Sequence, residues 1–250
     1  MKKIKYVFVI TILFFLSTSL VGKTTYAQES VSLKIVVGND DRTLVKNSSL
    51  SPYSSIALLF SSQSVCTGSL IAEDKILTAA HCVYDKSTSS YFKETSVYPG
   101  MNNDEMPFGG SDSVEYYVPQ SYIDSGKAKY DYAVVKVAEP IGKEAGVLKV
   151  KEAEQKNNKA PIKIIGYPFD KYMETSKMSQ FEMSGNIVDE DTNAVYYDID
   201  TTEGQSGAPI LNSENKIIGV HSGNYYINDK NGGPKIDQEA LKFVTDCLKR

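Results

Sequence analysis

Only two histidines occur in the chain, and each stands where an imidazole can do chemistry. His81 lies in Leu77-Thr78-Ala79-Ala80-His81-Cys82, and His221 follows fifteen residues after the serine of Glu203-Gly204-Gln205-Ser206-Gly207. A serine hydroxyl is a poor nucleophile at neutral pH and needs an adjacent base. With so few histidines, the base for Ser206 is His81 or His221. The glycines around Ser206 permit a tight turn whose N–H groups point into one concavity. Donors so placed stabilise the oxyanion formed when serine attacks a carbonyl. An ordinary Gly-Ser turn has the same letters, so the motif gains weight only from its partners.

The order of the partners narrows the choice. A nucleophile elbow of the α/β-hydrolase kind requires G-x-S-x-G, but position 208 is alanine, and the order Ser, acid, His would leave Glu214 as the sole acid. The remaining order is His81, an acid, then Ser206. Asp131 fits best, since it opens the apolar run Asp131-Tyr132-Ala133-Val134-Val135-Lys136-Val137, whereas Asp112 and Asp124 sit in polar stretches. A carboxylate beside a buried strand needs a partner, and an imidazole N–H would supply one. A plain turn or strand cap is the competing role for Asp131.

Short runs of β-branched and aromatic residues, bounded by turn formers, predict strands at 55–60, 67–71, 75–78, 114–118, 132–137, 162–167, 181–188, 195–199, 209–211 and 217–221. No long stretch has helical periodicity before the end, so the fold class is all-β, of sandwich or barrel type. At the end Asp237 can cap a helix on which Ala240, Val244, Cys247 and Leu248 form an apolar stripe. Cys247 then reads as a buried free thiol. A polar segment at 149–160 reads as a surface linker between two β units, and no internal repeat is evident.

Residues 1–27 have a basic start, a short apolar middle and small residues at the end, the layout of a secretory signal. The apolar run falls short of the roughly 20 residues a membrane span needs. Polar residues 28–34 read as a propeptide. Removing the first 27 residues, with their four lysines, takes the net charge from −4 to −8. An acidic secreted protein has no general attraction to nucleic acid or anionic membrane, so proteins or peptides are the expected partners. Export permits a disulfide. Cys66 and Cys82, sixteen positions apart, would if bonded pin the His81 segment to the strand carrying Cys66. No metal-ligand spacing occurs, no cofactor is expected, and the acidic stretches at 102–105 and 189–191 read as solvated surface charge.

Taken together, Thr78-Ala79-Ala80-His81-Cys82, Asp131-Tyr132-Ala133 and Gly204-Gln205-Ser206-Gly207 resemble the trypsin/chymotrypsin-like serine proteases. Within them the chain is most similar to the secreted bacterial glutamyl endopeptidases, whose relatives include exfoliative toxins. The resemblance implies two antiparallel six-stranded β-barrels, at 35–148 and 161–250, with the active site between them. It implies Ser206 as nucleophile, His81 as general base, Asp131 as its orienting acid, Gly204 and Ser206 as oxyanion donors, and a Cys66–Cys82 disulfide. It places Thr201 and His221 as ligands for a substrate glutamate. It also puts a mature terminus at Ile35, whose amine would lie near that glutamate. Two departures stand out. Gln205 is neutral where digestive relatives keep an aspartate that binds the new N-terminal ammonium. Asp200 occupies the place of the trypsin aspartate that selects Lys or Arg; alone in the pocket it would repel glutamate, unless it pairs with His221. Lys/Arg or broad specificity, an exfoliative-toxin-like protease and a binding protein on an inert protease fold are the alternatives.

Overall fold

The structure, a computed structural model, describes residues 36, 39–154, 159–223 and 230–250. The expected signal peptide, propeptide and Ile35 lie outside the described residues.

Six strands form a closed antiparallel barrel. They are β1 (Ile56–Phe60), β2 (Val65–Ala72), β3 (Lys75–Thr78), β4 (Ser96–Pro99), β5 (Ser111–Tyr117) and β6 (Ala133–Val137). Around the barrel the order is β1-β2-β3-β6-β5-β4. β1, β2, β3 and β6 are buried along nearly their whole length, so period-two alternation is lost in them, whereas β4 alternates and β5 keeps an exposed face. Ile56, Leu59, Leu70, Ile76, Val97 and Val135 are at most 1% exposed.

A second set repeats that path: β7 (Pro161–Gly166), β8 (Phe181–Glu190), β9 (Ala194–Tyr197), β10 (Pro209–Leu211), β11 (Ile217–Val220) and β12 (Asn231–Pro234). The order β11-β10-β7-β8-β9-β12 is the first barrel's circuit cut open between its fifth and sixth strands. The expected pair of antiparallel six-stranded β units is present: the first closes as a barrel and the second is a half-barrel. Among the described residues its seam is held by a Gly219–Lys235 bridge and by bonds such as Ser222 N–H to Gly232 O at 3.1 Å. Side chains meet at that seam instead, as described below.

The ends of the described chain cross over. Near its start, Thr43–Leu44 forms an edge strand on β8, in the second sheet. The C-terminal helix, Gln238–Cys247, begins with Asp237 accepting the Ala240 N–H at 2.9 Å. It lays Ala240, Val244 and Cys247 into the core shared with the first barrel, and Phe243 meets Tyr132 edge-on at 5.5 Å. Cys247 is a buried free thiol, with its pKa pushed up to about 11 by burial. Leu248, expected on the same stripe, is 42% exposed because the helix ends before it.

Candidate active site

Strand register explains how His81 and Asp131 meet. β3 and β6 are paired neighbours, with Thr78 opposite Ala133. The chain leaves β3 into a one-turn helix, Ala80–Cys82, while Asp131 sits two residues before β6. Two residues 50 positions apart are thus delivered to the same barrel rim. The His81 Nδ1–H donates to Asp131 Oδ2 at 2.6 Å, and the His81 backbone N–H donates to Oδ1 at 2.9 Å. Ser222 Oγ adds a third bond to Oδ2 at 2.5 Å.

Asp131 is fully buried, and burial alone would push its pKa up. The neighbouring His81 ring and the hydrogen bonds from His81 and Ser222 outweigh that and hold the carboxyl below its ordinary value. For His81, burial favours the neutral ring, but the Asp131 charge and hydrogen bond prevail and raise its pKa above 6.5. With Nδ1 committed to Asp131, Nε2 is the nitrogen left to accept a proton. Asp112 and Asp124 are spent elsewhere, accepting from Ser96 Oγ and Gln120 Nε2 respectively.

Ser206 comes from the other half of the molecule, on the loop between β9 and β10. Gly204 and Gly207 have φ of +90° and +84°, a left-handed region that glycine alone enters freely. Space demands glycine as well. A Cβ on Gly204 would come within 2.2 Å of Tyr167 O, and one on Gly207 within 2.2 Å of Thr67 O. Among the described residues neither the Gly204 nor the Ser206 N–H has a hydrogen-bond partner, while the Gln205, Gly207 and Ala208 N–H groups all do. Two donors on this loop are therefore left uncommitted.

Thr67 of β2 seats this loop against the first barrel. Its N–H donates to Ser206 O at 2.8 Å, and its hydroxyl donates to Gly204 O at 2.8 Å while accepting the Tyr167 N–H at 3.0 Å. The Cys66–Cys82 disulfide is formed and stands at the junction. A His81 ring nitrogen lies within 4.8 Å of both sulfurs, and the Cys82 sulfur touches Ser206 O at 3.6 Å. The latter is a packing contact, since a bridged sulfur has no proton to donate. The same bridge removes both thiolates from the His81–Cys66–Cys82 cluster as metal ligands. Imidazole and Ser206 thus flank one sulfur. No hydrogen bond joins Ser206 Oγ to the ring in this resting geometry, a contact that in proteases tightens when substrate binds. Beside the ring runs a groove of about 490 Å³, lined by Gln63, Tyr84, Phe92 and Tyr122 among others.

His221 follows β11 directly behind the loop, its carbonyl accepting the Gly207 N–H at 2.9 Å and its N–H donating to Ala208 O at 2.8 Å. Its ring is buried at the half-barrel seam, where Nδ1 meets the Tyr197 hydroxyl at 2.6 Å. The same hydroxyl lies 3.2 Å from Gly232 O. Burial, then the His81 charge, pull the His221 pKa down to about 4, so the ring is neutral at pH 7. Thr201 is buried five residues before Ser206. Asp200 does not pair with His221: its carboxylate accepts the Asp41 N–H at 3.3 Å, turned toward the chain's entry into the second sheet.

Sequence reasoning missed Thr67, Ser222 and Tyr197. A threonine in a strand, a serine after a histidine and one of seventeen tyrosines carry no local signal. Only the fold gives them partners.

Residues 44–244 match the family described as Trypsin. A glutamyl endopeptidase of Bacillus licheniformis is 33% identical over 233 residues, covering 90% of this chain and 72% of that protein. An extracellular metalloprotease of Bacillus subtilis is 26% identical over 207 residues, covering 78% of this chain and 64% of that protein. A solved structure of a Glu endopeptidase superposes with a TM-score of 0.84 at 42% identity, over 86% of this chain and all of that one. With the match running through both β units, the chain belongs to the trypsin family and is a serine endopeptidase of chymotrypsin-like fold.

Proposed function

We propose that the chain is a secreted endopeptidase that cuts after glutamate, and more slowly after aspartate, through an acyl-enzyme on Ser206. His81 Nε2 takes the Ser206 proton as Oγ attacks the scissile carbonyl. Asp131 holds the ring in the required tautomer and stabilises the imidazolium that forms. The Gly204 and Ser206 N–H groups receive the oxyanion. His81 then passes its proton to the departing amine, and water repeats the sequence in reverse to release the acyl group. The observation that carries this reading is the His81–Asp131 pair at 2.6 Å, lodged beside a serine loop with two uncommitted N–H groups.

The choice of glutamate rests on His221 and Thr201. With the Tyr197 hydroxyl proton given to Nδ1, and not to Gly232 O, the other ring nitrogen carries the ring proton and offers it to a carboxylate, and the Thr201 hydroxyl supplies a second donor. A neutral imidazole also avoids the cost of an isolated buried charge. Asp200 supports glutamate over Lys or Arg, because its carboxylate is engaged by the Asp41 N–H. Relatives bearing the glutamyl endopeptidase name support the same choice. For secretion, support comes from residues 1–27 and from the word extracellular in the Bacillus subtilis relative's name. No described helix is long and apolar enough to cross a membrane. Cleavage of a peptide library is expected to show Glu before the cut, with Asp second. A dominant Lys or Arg there would refute the specificity.

A further inference from the structure

The buried cation nearest the nucleophile loop is Arg42, and nothing in the chemistry above uses it. Its guanidinium is fully enclosed. Nε and Nη2 grip Asp40 at 2.9 and 2.8 Å, and Nη1 and Nη2 grip Asp170 at 3.0 and 2.7 Å. Nη1 goes on to Thr202 Oγ1 at 2.8 Å and to Gln205 Oε1 at 3.3 Å. Gln205 immediately precedes Ser206 and is itself buried. Its Oε1 also accepts the Thr202 N–H at 3.0 Å, while its own N–H donates to Thr202 O at 3.2 Å, so the turn leading into Ser206 is cross-braced through this one side chain. Lys171 completes the charge balance by pairing with Asp40 at 2.9 Å.

The guanidinium cannot drift. Arg42 directly precedes the edge strand Thr43–Leu44, which is registered on β8 with Thr43 opposite Glu182. Asp170 is carried on the short helix Phe169–Thr175, whose first N–H donates to Glu203 O at 2.7 Å. Buried ion pairs are rarely the most stable way to fill space, and apolar residues of similar volume often serve stability as well or better. What an apolar filler could not do is aim a rigid fork of donors at the loop.

We propose that Arg42 is a positioning residue for this endopeptidase: through Gln205 and Thr202 it holds the Ser206 loop, and with it the Gly204 and Ser206 N–H groups, in working shape. The inference rests on Ser206 being the nucleophile. Loss of the brace lets those donors shift, and a displacement of about 1 Å at such a site costs about 100-fold in rate. The substrate side-chain pocket, formed by other residues, is left in place, so the loss belongs to kcat and not to KM.

The test compares wild type, Arg42→Ala and Gln205→Met, each titrated with a fluorophosphonate so that rates are expressed per reactive serine. Gln205→Met keeps the volume, and keeps Arg42 paired with both carboxylates, but deletes the acceptor that links them to the loop. It therefore serves if Arg42→Ala does not fold. The expected result is a fall in kcat per labelled site of about 100-fold for Arg42→Ala and about 10-fold for Gln205→Met, with KM within threefold of wild type. A folded variant of either kind that turns over within twofold of wild type per labelled site overturns the proposal, because a purely structural role changes only the number of competent sites. Wild-type protein that takes no label at Ser206 overturns the nucleophile assignment itself, and this inference with it.

Discussion

Three donors converge on the buried Asp131 carboxylate, and together they set the pH at which His81 can act. The ring must be neutral to accept the serine proton. Because Asp131 raises its pKa above 6.5, kcat/KM should fall as pH drops through a value higher than an ordinary histidine's. Asp131→Asn removes both the charge and the tautomer control, so the acidic limb should move down and kcat should fall about 10⁴-fold. An acidic limb in the same place in both proteins would refute the link. His221 titrates near 4 and should add no second limb between pH 6 and 8. Tyr197→Phe leaves Nδ1 of that ring without its hydroxyl, a loss of about 1 kcal/mol, so kcat/KM on a glutamyl peptide should drop roughly fivefold. Hydrolysis of a small neutral ester should hold steady, and an equal loss on both substrates would deny Tyr197 a part in specificity. The His81–Asp131 contact was legible at this scale because histidine is rare here and Asp131 opens an apolar run. Tyr197 and Ser222 were not, since their partners lie 24 and 91 positions away.

Strands rich in β-branched residues announce themselves, as Lys75–Thr78 and Pro209–Leu211 do with the bounds expected from sequence. Ser96–Pro99 and Asn231–Pro234 were hidden. The latter is Asn-Gly-Gly-Pro, a turn former by composition, made a strand by pairing with Ala194–Tyr197 across four register positions. Tertiary pairing overrides local preference there. Between the second strand of the first barrel and the His81 turn, the disulfide closes a loop of 16 positions. Chain-entropy arguments give such a bridge about 3 kcal/mol. Replacing both cysteines by serine should therefore lower Tm by roughly 6–12 °C in a protein of this size. A change under about 2 °C, with the wild-type bridge verified by mass spectrometry, would show that the unfolded chain is already constrained there.

At the scale of the molecule, one strand circuit appears twice with no evident repeat in the sequence to announce it. The two copies touch most consequentially at Thr67. Thr67→Val preserves shape but orphans Gly204 O and the Tyr167 N–H, which should cost about 1–3 kcal/mol of stability. Because the same hydroxyl seats the serine loop, kcat should fall too, and unchanged stability and turnover would remove Thr67 from this role. The crossing of the chain ends carries a different implication. The segment before Leu44 braces the second sheet, whereas the final helix seals the first barrel, so neither half is finished until the last residues have been made and docked. A polypeptide still being made owns the parts of a blade without an edge. Activity is thereby withheld until the final helix has docked.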